Sequence, residues 1–310
     1  FAILLNTVDD ELAIDACLQG VCAEDSAAGV YGTQAGAISE VISSQDGDTP
    51  LMFRDVSVQA GVDFLHHHFS APLGGGVVVF DFNSDGLHDI YVADSKGPNV
   101  MYRNNGDSTF TDVAWLAGID DPQGVGNGGC AADYDNDGDQ DLFLANYGPS
   151  KFFLNNGDGT FVDLTVHSGL QDVYPLYRTM GCAWGDYDHD GFLDLIVVRH
   201  LERYNAMLVI TRDFLPRVGA LALYHNDGDG GFVDVTSLLG DVSHPRTRIQ
   251  DRYFGNVWGA GFQPAWVDYD NDGDADLYVV NDFGTDIQPN VLWRNDGLGE
   301  DGNWVFKDVS

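Results

Sequence analysis

Asp133–Asp141 reads DYDNDGDQD, and the phrase returns as DFNSDGLHD at Asp81–Asp89, DYDHDGFLD at Asp186–Asp194 and DYDNDGDAD at Asp268–Asp276. The copies lie roughly 50 residues apart, with a longer interval before the last, a period typical of stacked supersecondary units. A second phrase recurs as FRDVS from Phe53, FTDVA from Phe110, FVDLT from Phe161, FVDVT from Phe232 and FKDVS from Phe306. A third joins the two: YRNNGDSTF, LNNGDGTF, YHNDGDGGF and the looser WRNDGLGEDGNWVF.

Each unit reads as a four-stranded meander. VVVF before Asp81 is an apolar run, DIYVAD from Asp89 and NVMYRN from Asn99 follow, and FTDVA from Phe110 closes the unit. An Asn-Gly-Asp turn before the last strand is a hairpin signal. Four short strands per repeat match a propeller blade better than a solenoid turn. The expected fold is all-β: a β-propeller of four-stranded blades, four of them visible in this chain.

The Asp-rich loop supplies oxygens from alternate residues. Numbered 1, 3, 5, 7 and 9, the first loop offers Asp81, Asn83, Asp85, the Leu87 carbonyl and Asp89; the second offers Asp133, Asp135, Asp137, the Asp139 carbonyl and Asp141. The third offers Asp186, Asp188, Asp190, the Phe192 carbonyl and Asp194, and the fourth Asp268, Asp270, Asp272, the Asp274 carbonyl and Asp276. Calcium takes six to eight such oxygens at roughly 2.3–2.6 Å. Position 6 is Gly86, Gly138, Gly191 or Gly273, where the chain bends sharply. An EF-hand would need a bidentate Glu at position 12 and flanking helices. Position 12 here is Val92, Leu144, Val197 or Val279, each in a strand-like run. The expectation is four β-flanked calcium sites. Carboxylates packed this closely cannot all stay ionised without a cation.

Composition agrees. The 310 residues carry 49 acidic and 14 basic side chains, a formal net charge of −35. Phosphates need a basic surface, so nucleic acid is excluded as a partner. Hydrophobic residues make up 44%, too many for a solvating disordered chain. No apolar run reaches the roughly 18 residues of a membrane span. The chain starts at Phe1 with no basic residue before Arg54, which reads as a processed or excised chain without an intact signal peptide. Of the four cysteines, Cys17 and Cys22 sit close enough to close a small loop, and Cys130 and Cys182 occupy nearly the same place in successive repeats. The latter two either pair across neighbouring strands or remain as small buried apolar residues.

The loops, the NNGDGTF turns and the F-x-D-V-T strands resemble the FG-GAP/VCBS repeats of integrin α-chain propellers. AGVDFLHHH at Ala60–His68, CAWGDYDHDGFLDL at Cys182–Leu195, VVNDFG at Val279–Gly284 and PNVLWRNDG at Pro289–Gly297 are similar to proteins of the ASPIC/UnbV, cartilage acidic protein-like type. The likeness covers about residues 51–310. It implies a seven-bladed propeller, extracellular placement, and binding or scaffolding in place of catalysis. It also implies further blades and a C-terminal ASPIC/UnbV domain, neither visible here. The phrase at Phe53 reads as a surplus closing strand. The expectation is therefore that blades are missing at the C-terminus, the alternative being that another molecule supplies them.

Residues 1–50 read as a separate N-terminal segment with a strand-like start and a linker-like end, and 51–310 as the calcium-binding repeats. A meander places the two large insertions, 199–222 and 238–258, on the face opposite the Asp-rich loops. They hold Arg199, Arg203, Arg212, Arg217, Arg246, Arg248 and Arg252, half of the basic residues. His66, His67 and His68 fall in a connection of the same face. The arginines read either as a partner-binding patch or as local charge compensation. The reading for function is a secreted adhesion or scaffold module that binds acidic glycan or other copies of itself. The alternative is a propeller-type polysaccharide lyase or hydrolase, but the chain shows neither G-x-S-x-G nor HExxH.

Overall fold

The computed structural model describes residues 54–67, 75–171, 178–200, 221–240, 261–281, 289–300 and 302–310. The N-terminal segment 1–50 and most of both Arg-rich insertions lie outside them. The chain divides into two compact units, residues 1–64 and 65–310. In the first, the described residues hold one short helix, α1 (Ser57–Ala60). Asp55 precedes it, and its Oδ1 accepts from the backbone N and the hydroxyl of Ser57, at 2.9 and 2.6 Å.

Among its described residues the second unit contains four antiparallel four-stranded sheets. They are β1–β4 (Val77–Phe80, Asp89–Val92, Val100–Asn104, Phe110–Asp112) and β5–β8 (Gly126–Ala132, Asp141–Asn146, Lys151–Asn155, Phe161–Asp163). The others are β9–β12 (Arg178–Gly185, Asp194–His200, Leu221–Asn226, Phe232–Asp234) and β13–β16 (Gly261–Val267, Asp276–Asn281, Val291–Leu298, Trp304–Asp308). Strand order within each sheet follows the chain, as in a propeller blade.

The second strand of each blade explains its continuous apolar run. Alternate residues face opposite sides of a strand, and in the interior blades both sides are covered. In β6, Leu142 and Leu144 pack into the core shared with the first blade, and Phe143 and Ala145 into the core shared with the third. In β10, Leu195 and Val197 face the second blade, and Ile196 and Val198 the fourth. The hydrophobic core is thus three layers, each lying between neighbouring blades.

The first strands of successive blades approach backbone to backbone. A Cβ added at Gly76 would lie 2.5 Å from Cα of Gly128, and one at Gly181 2.6 Å from the Phe262 carbonyl oxygen. Only residues without a side chain permit that approach. Cys130 in β5 and Cys182 in β9 form a disulfide, which decides between the two readings left open above.

The fourth strands are shorter than expected. Only FTD, FVD and FVD of the phrases at Phe110, Phe161 and Phe232 pair, and a short helix α2 (Ala114–Ala117) or a 3-10 turn (Thr236–Leu239) follows two of them. The aspartate ends the strand. Asp163, Asp234 and Asp308 each accept, through Oδ1, from the backbone N and hydroxyl of the Thr or Ser two residues on. This local bond competes with the ladder. The same turn recurs at Asp55, with α1 following it; Arg54–Val56 pair with no strand among the described residues, and Phe53, where the phrase begins, lies outside them.

A side-chain clasp repeats between blades. Asn155 Nδ2 donates to the Phe82 carbonyl of the preceding blade at 2.8 Å, Asn226 Nδ2 to that of Tyr134 at 2.8 Å, and Asn295 Nδ2 to that of Tyr187 at 2.9 Å. All three asparagines are buried. Replacing Asn226 by Ala leaves two carbonyls of the clasp without their donor, a loss of about 1–3 kcal/mol. Urea unfolding should show it, while the same change at exposed Asn105 should leave the midpoint within about 0.5 kcal/mol of the parent.

Candidate cation sites

Each Asp-rich loop joins the first two strands of a blade, and one set of bonds shapes all four. Position 9 is fully buried in every copy: Asp89, Asp141, Asp194 and Asp276. Its Oδ2 accepts from the backbone N of position 2, at 3.2, 3.1, 3.1 and 3.0 Å. Its Oδ1 accepts from the backbone N of Asn104, Asn155, Asn226 or Asn295 at the end of the third strand, at 2.7, 2.8, 2.9 and 2.8 Å. Position 1 accepts from the backbone N of position 6, as Asp81 does from Gly86 at 2.7 Å and Asp133 from Gly138 at 3.0 Å. Position 5 accepts from the N of position 7 in all four loops. The third-strand turns therefore lie at the same end of the blade as the loops.

Backbone conformation follows suit. Gly138 and Gly273 at position 6 have φ of 100°, which only glycine adopts without strain. Position 4 is also left-handed: Ser84, Asn136, His189 and Asn271 have φ between 54° and 62°. That residue reaches the next blade in three copies. Ser84 Oγ donates to Asp139 at 2.8 Å, Asn136 Nδ2 donates to the Gly191 carbonyl at 2.9 Å, and His189 Nε2 lies 3.0 Å from Asp274 Oδ1.

The remaining oxygens converge. Asp133, Asp135 and Asp141 place carboxylate oxygens within 4.8 Å of one another, as do Asp186, Asp188 and Asp190, and Asp268, Asp270 and Asp276. In the first loop Asn83 stands at position 3, with its amide donating to Asp85 at 3.0 Å. Oxygens of Asn83, Asp135 and Asp186 are buried without any hydrogen-bond partner. Such atoms are costly unless something satisfies them, and calcium binds oxygen donors of this kind. The loops fit a hard divalent cation.

Comparison with known sequences gives the repeat its name. Residues 81–144 and 133–197 match the FG-GAP-like repeat. The chain is 40% identical over 264 residues to Cartilage acidic protein 1 of Homo sapiens, covering 82% of this chain and 34% of that protein. For Cartilage acidic protein 1 of Mus musculus the values are 38%, 82% and 35%. This is an FG-GAP-repeat chain of the cartilage acidic protein type. It spans about a third of the length of those curated relatives. A solved Agrocybe aegerita lectin, described as recognising non-reducing terminal N-acetylglucosamine, aligns with TM-score 0.40 and 19% identity over 75% of this chain and 51% of that one.

Electrostatics in the FG-GAP loops run against ionisation. Burial pushes Asp141 and Asp194 up to about 7; the two backbone N–H donors of each only partly offset it, and neighbouring carboxylates add to it. Asp89, Asp135 and Asp188 move up for the same first reason.

The opposite end of the blades is polar as well. Asp94 is buried and accepts from the backbone N of His67 at 3.1 Å, with His67 Nδ1 at 2.8 Å from its Oδ2. His66 lies near the same carboxylate, Nε2 to Oδ1 at 3.9 Å. Arg199, counted above with an insertion, belongs to β10 and is buried beside Tyr224, its Nη2 donating to the phenol oxygen at 3.4 Å. Arg203, Arg212, Arg217, Arg246, Arg248 and Arg252 lie outside the described residues. One residue at the loops reads in the sequence as a scattered histidine with no evident partner: His225, whose Nδ1 is 3.0 Å from Asp194 Oδ1. The cue was its phrase, YHND, where the other blades have YRNN, FLNN and WRND.

The buried aspartates set a pH trend for the metal-free protein. Asp141 and Asp194 titrate near 3.8 when unfolded and near 7 when folded. Between those values the folded state binds more protons, so raising the pH destabilises it. Chelator-stripped protein should therefore gain melting temperature on acidification from about pH 8 to about pH 5. Carboxylates held below their ordinary value, such as Asp163 and Asp296, withdraw stability only at lower pH. A flat or falling melting temperature over that window would contradict the assignment.

Proposed function

We propose that this chain is the calcium-binding propeller part of an extracellular adhesion or scaffold protein. The buried, partnerless oxygens of Asn83, Asp135 and Asp186 carry the reading. Asp135 and Asp186 sit in loops whose carboxylates converge, and the position-9 aspartate of all three loops resists ionisation. A cation meets both demands at once: it satisfies the oxygens and reverses the local field.

Extracellular placement is supported by three things. The Cys130–Cys182 disulfide fits an oxidising compartment. Extracellular calcium modules bind at roughly 10⁻⁴–10⁻³ M, concentrations a cytosol does not reach. The relatives are named for cartilage. Among the described residues no helix is long and apolar enough to cross a membrane.

The partner face is the end of the blades away from the loops. Loops on a rigid scaffold commonly carry binding residues, and the Arg-rich insertions leave the scaffold there. An acidic glycan or the acidic face of another copy suits guanidinium groups, which pair bidentately with carboxylate or sulfate.

Calcium titrated into stripped protein should bind at three or four sites per chain, and each site held at a hundredfold excess over its dissociation constant adds about 2.7 kcal/mol. Calorimetry and melting curves check this; fewer than three sites would sink the reading. With calcium saturating, the acid trend should reverse, because protons then compete with the cation.

Ser at Arg212, Arg217, Arg246 and Arg248 together should weaken binding to a sulfated glycan, or self-association, with the melting temperature kept. In the parent that binding should fall steeply with salt. Salt-independent binding would leave these arginines as charge compensation.

A further inference from the structure

The four loops share a backbone but not a ligand set. The third blade brings an imidazole into its loop. His225 is the penultimate residue of the third strand of the sheet, 31 residues beyond Asp194 in sequence. Its Nδ1 lies 3.0 Å from Asp194 Oδ1 and 3.4 Å from Asp188 Oδ2. The three donor atoms all fall within 4.8 Å of one another. Asp194 is fully buried and the side chain of Asp188 is 10% exposed. Position 1 of this loop, Asp186, has a buried Oδ1 with no hydrogen-bond partner. The Tyr187 ring stands edge-on to the imidazole, with ring centroids 6.0 Å apart. In the other blades the same strand position is Arg103, Leu154 or Arg294. None of these can ligate a cation.

We propose that the third loop is a site for a first-row transition dication of the zinc or cobalt kind, with His225 Nδ1, Asp188 and Asp194 as ligands and Asp186 completing the set.

The argument is one of donor chemistry and size. Calcium is hard and takes oxygen; imidazole suits zinc, copper, iron and nickel. Bonds of about 2.1 Å meeting at tetrahedral to octahedral angles put neighbouring donors roughly 3.0–3.4 Å apart. The His225–Asp194 and His225–Asp188 separations, 3.0 and 3.4 Å, span that range. The inference rests on the loops being cation sites, and it assigns one of them a different ion.

The test uses the whole chain, stripped with chelator and then titrated with zinc or cobalt alone in the presence of excess calcium. One equivalent of transition ion should bind, and cobalt should give an absorption band of nitrogen-containing coordination. His225→Leu copies the residue of the second blade, so it is suited to the fold, and a melting curve confirms it. The change should cost on the order of ten- to a hundredfold in zinc affinity, the range lost even with outer-sphere partners. Calcium binding at the other loops should be unchanged. On the unaltered protein, the imidazole nitrogen resonances of His225 should shift when zinc saturates. If the loops bind calcium but zinc binds equally well to the parent and to His225→Leu, the proposal is overturned and the loop reading survives. An unmoved His225 resonance at zinc saturation overturns it too. If no loop binds any divalent ion, both fall together.

Discussion

The structure turns on a carboxylate taken out of water four times. Asp89, Asp141, Asp194 and Asp276 are each fully buried at the foot of a second strand. Each accepts one N–H from its own loop and one from the end of the third strand, so it joins the loop and the next hairpin. Charge-assisted hydrogen bonds of this kind are stronger than neutral ones, yet they fall short here. Desolvation still carries Asp141 and Asp194 to about 7. In those two blades the group that organises the blade is therefore in tension with it at neutral pH. A proton or a cation relieves that tension, and only a cation can also serve the other loop oxygens. On the cation-binding function proposed here, fold and cation chemistry would be one problem, met at one residue.

The same loops hold neighbouring blades together. The carbonyl of position 2 accepts from an asparagine of the next blade, and its ring stacks on that blade's fourth strand: Phe82 on Phe161 at 6.3 Å and Tyr134 on Phe232 at 5.7 Å. Position 4 adds a side-chain contact to the adjoining loop. Where a following blade is present the ring is buried, as for Phe82, Tyr134 and Tyr187, whereas Tyr269 is 41% exposed. A disturbance in one loop thus reaches the next through three contacts. Stability in such arrays is a sum of unit terms and nearest-neighbour terms, and here the neighbour terms are anchored at the loops themselves.

The blade could be read from the sequence because its determinants are local. Asp-x-Asp-x-Asp-Gly, the Asn-Gly-Asp turns and the apolar runs each dictate their own few residues, and they recur. Other features needed the third dimension. The left-handed turn at position 4 is carried by Ser84, Asn136, His189 and Asn271, of which the serine gives no hint of it. The early end of the fourth strand follows from aspartates bonding Ser or Thr two residues on, a pattern the phrase F-x-D-V-T contains but which reads as strand. Arg199 looked like part of a surface insertion because it adjoins one; its strand partners bury it. His225 meets Asp194 only because the second and third strands pair, so no local spacing announces the contact.

A repeated loop also separates what must stay constant from what can vary. Positions 1, 6 and 9 are held by the backbone bonds they make, and any copy that altered them would lose its turn. Position 3, position 7 and the strand residue facing the loop make few such bonds. They differ accordingly: Asn83 against Asp135, Leu87 and Phe192 against Asp139 and Asp274, and Arg, Leu or His at the strand. Affinity for a hard cation depends on the number of charged ligands and on the rigidity of the site. The first loop, with an amide at position 3, offers less charge than the second or fourth. The third adds nitrogen. Four copies of one backbone therefore offer different donor sets, and on the cation-binding function proposed here selectivity would be set by the few residues the fold does not need.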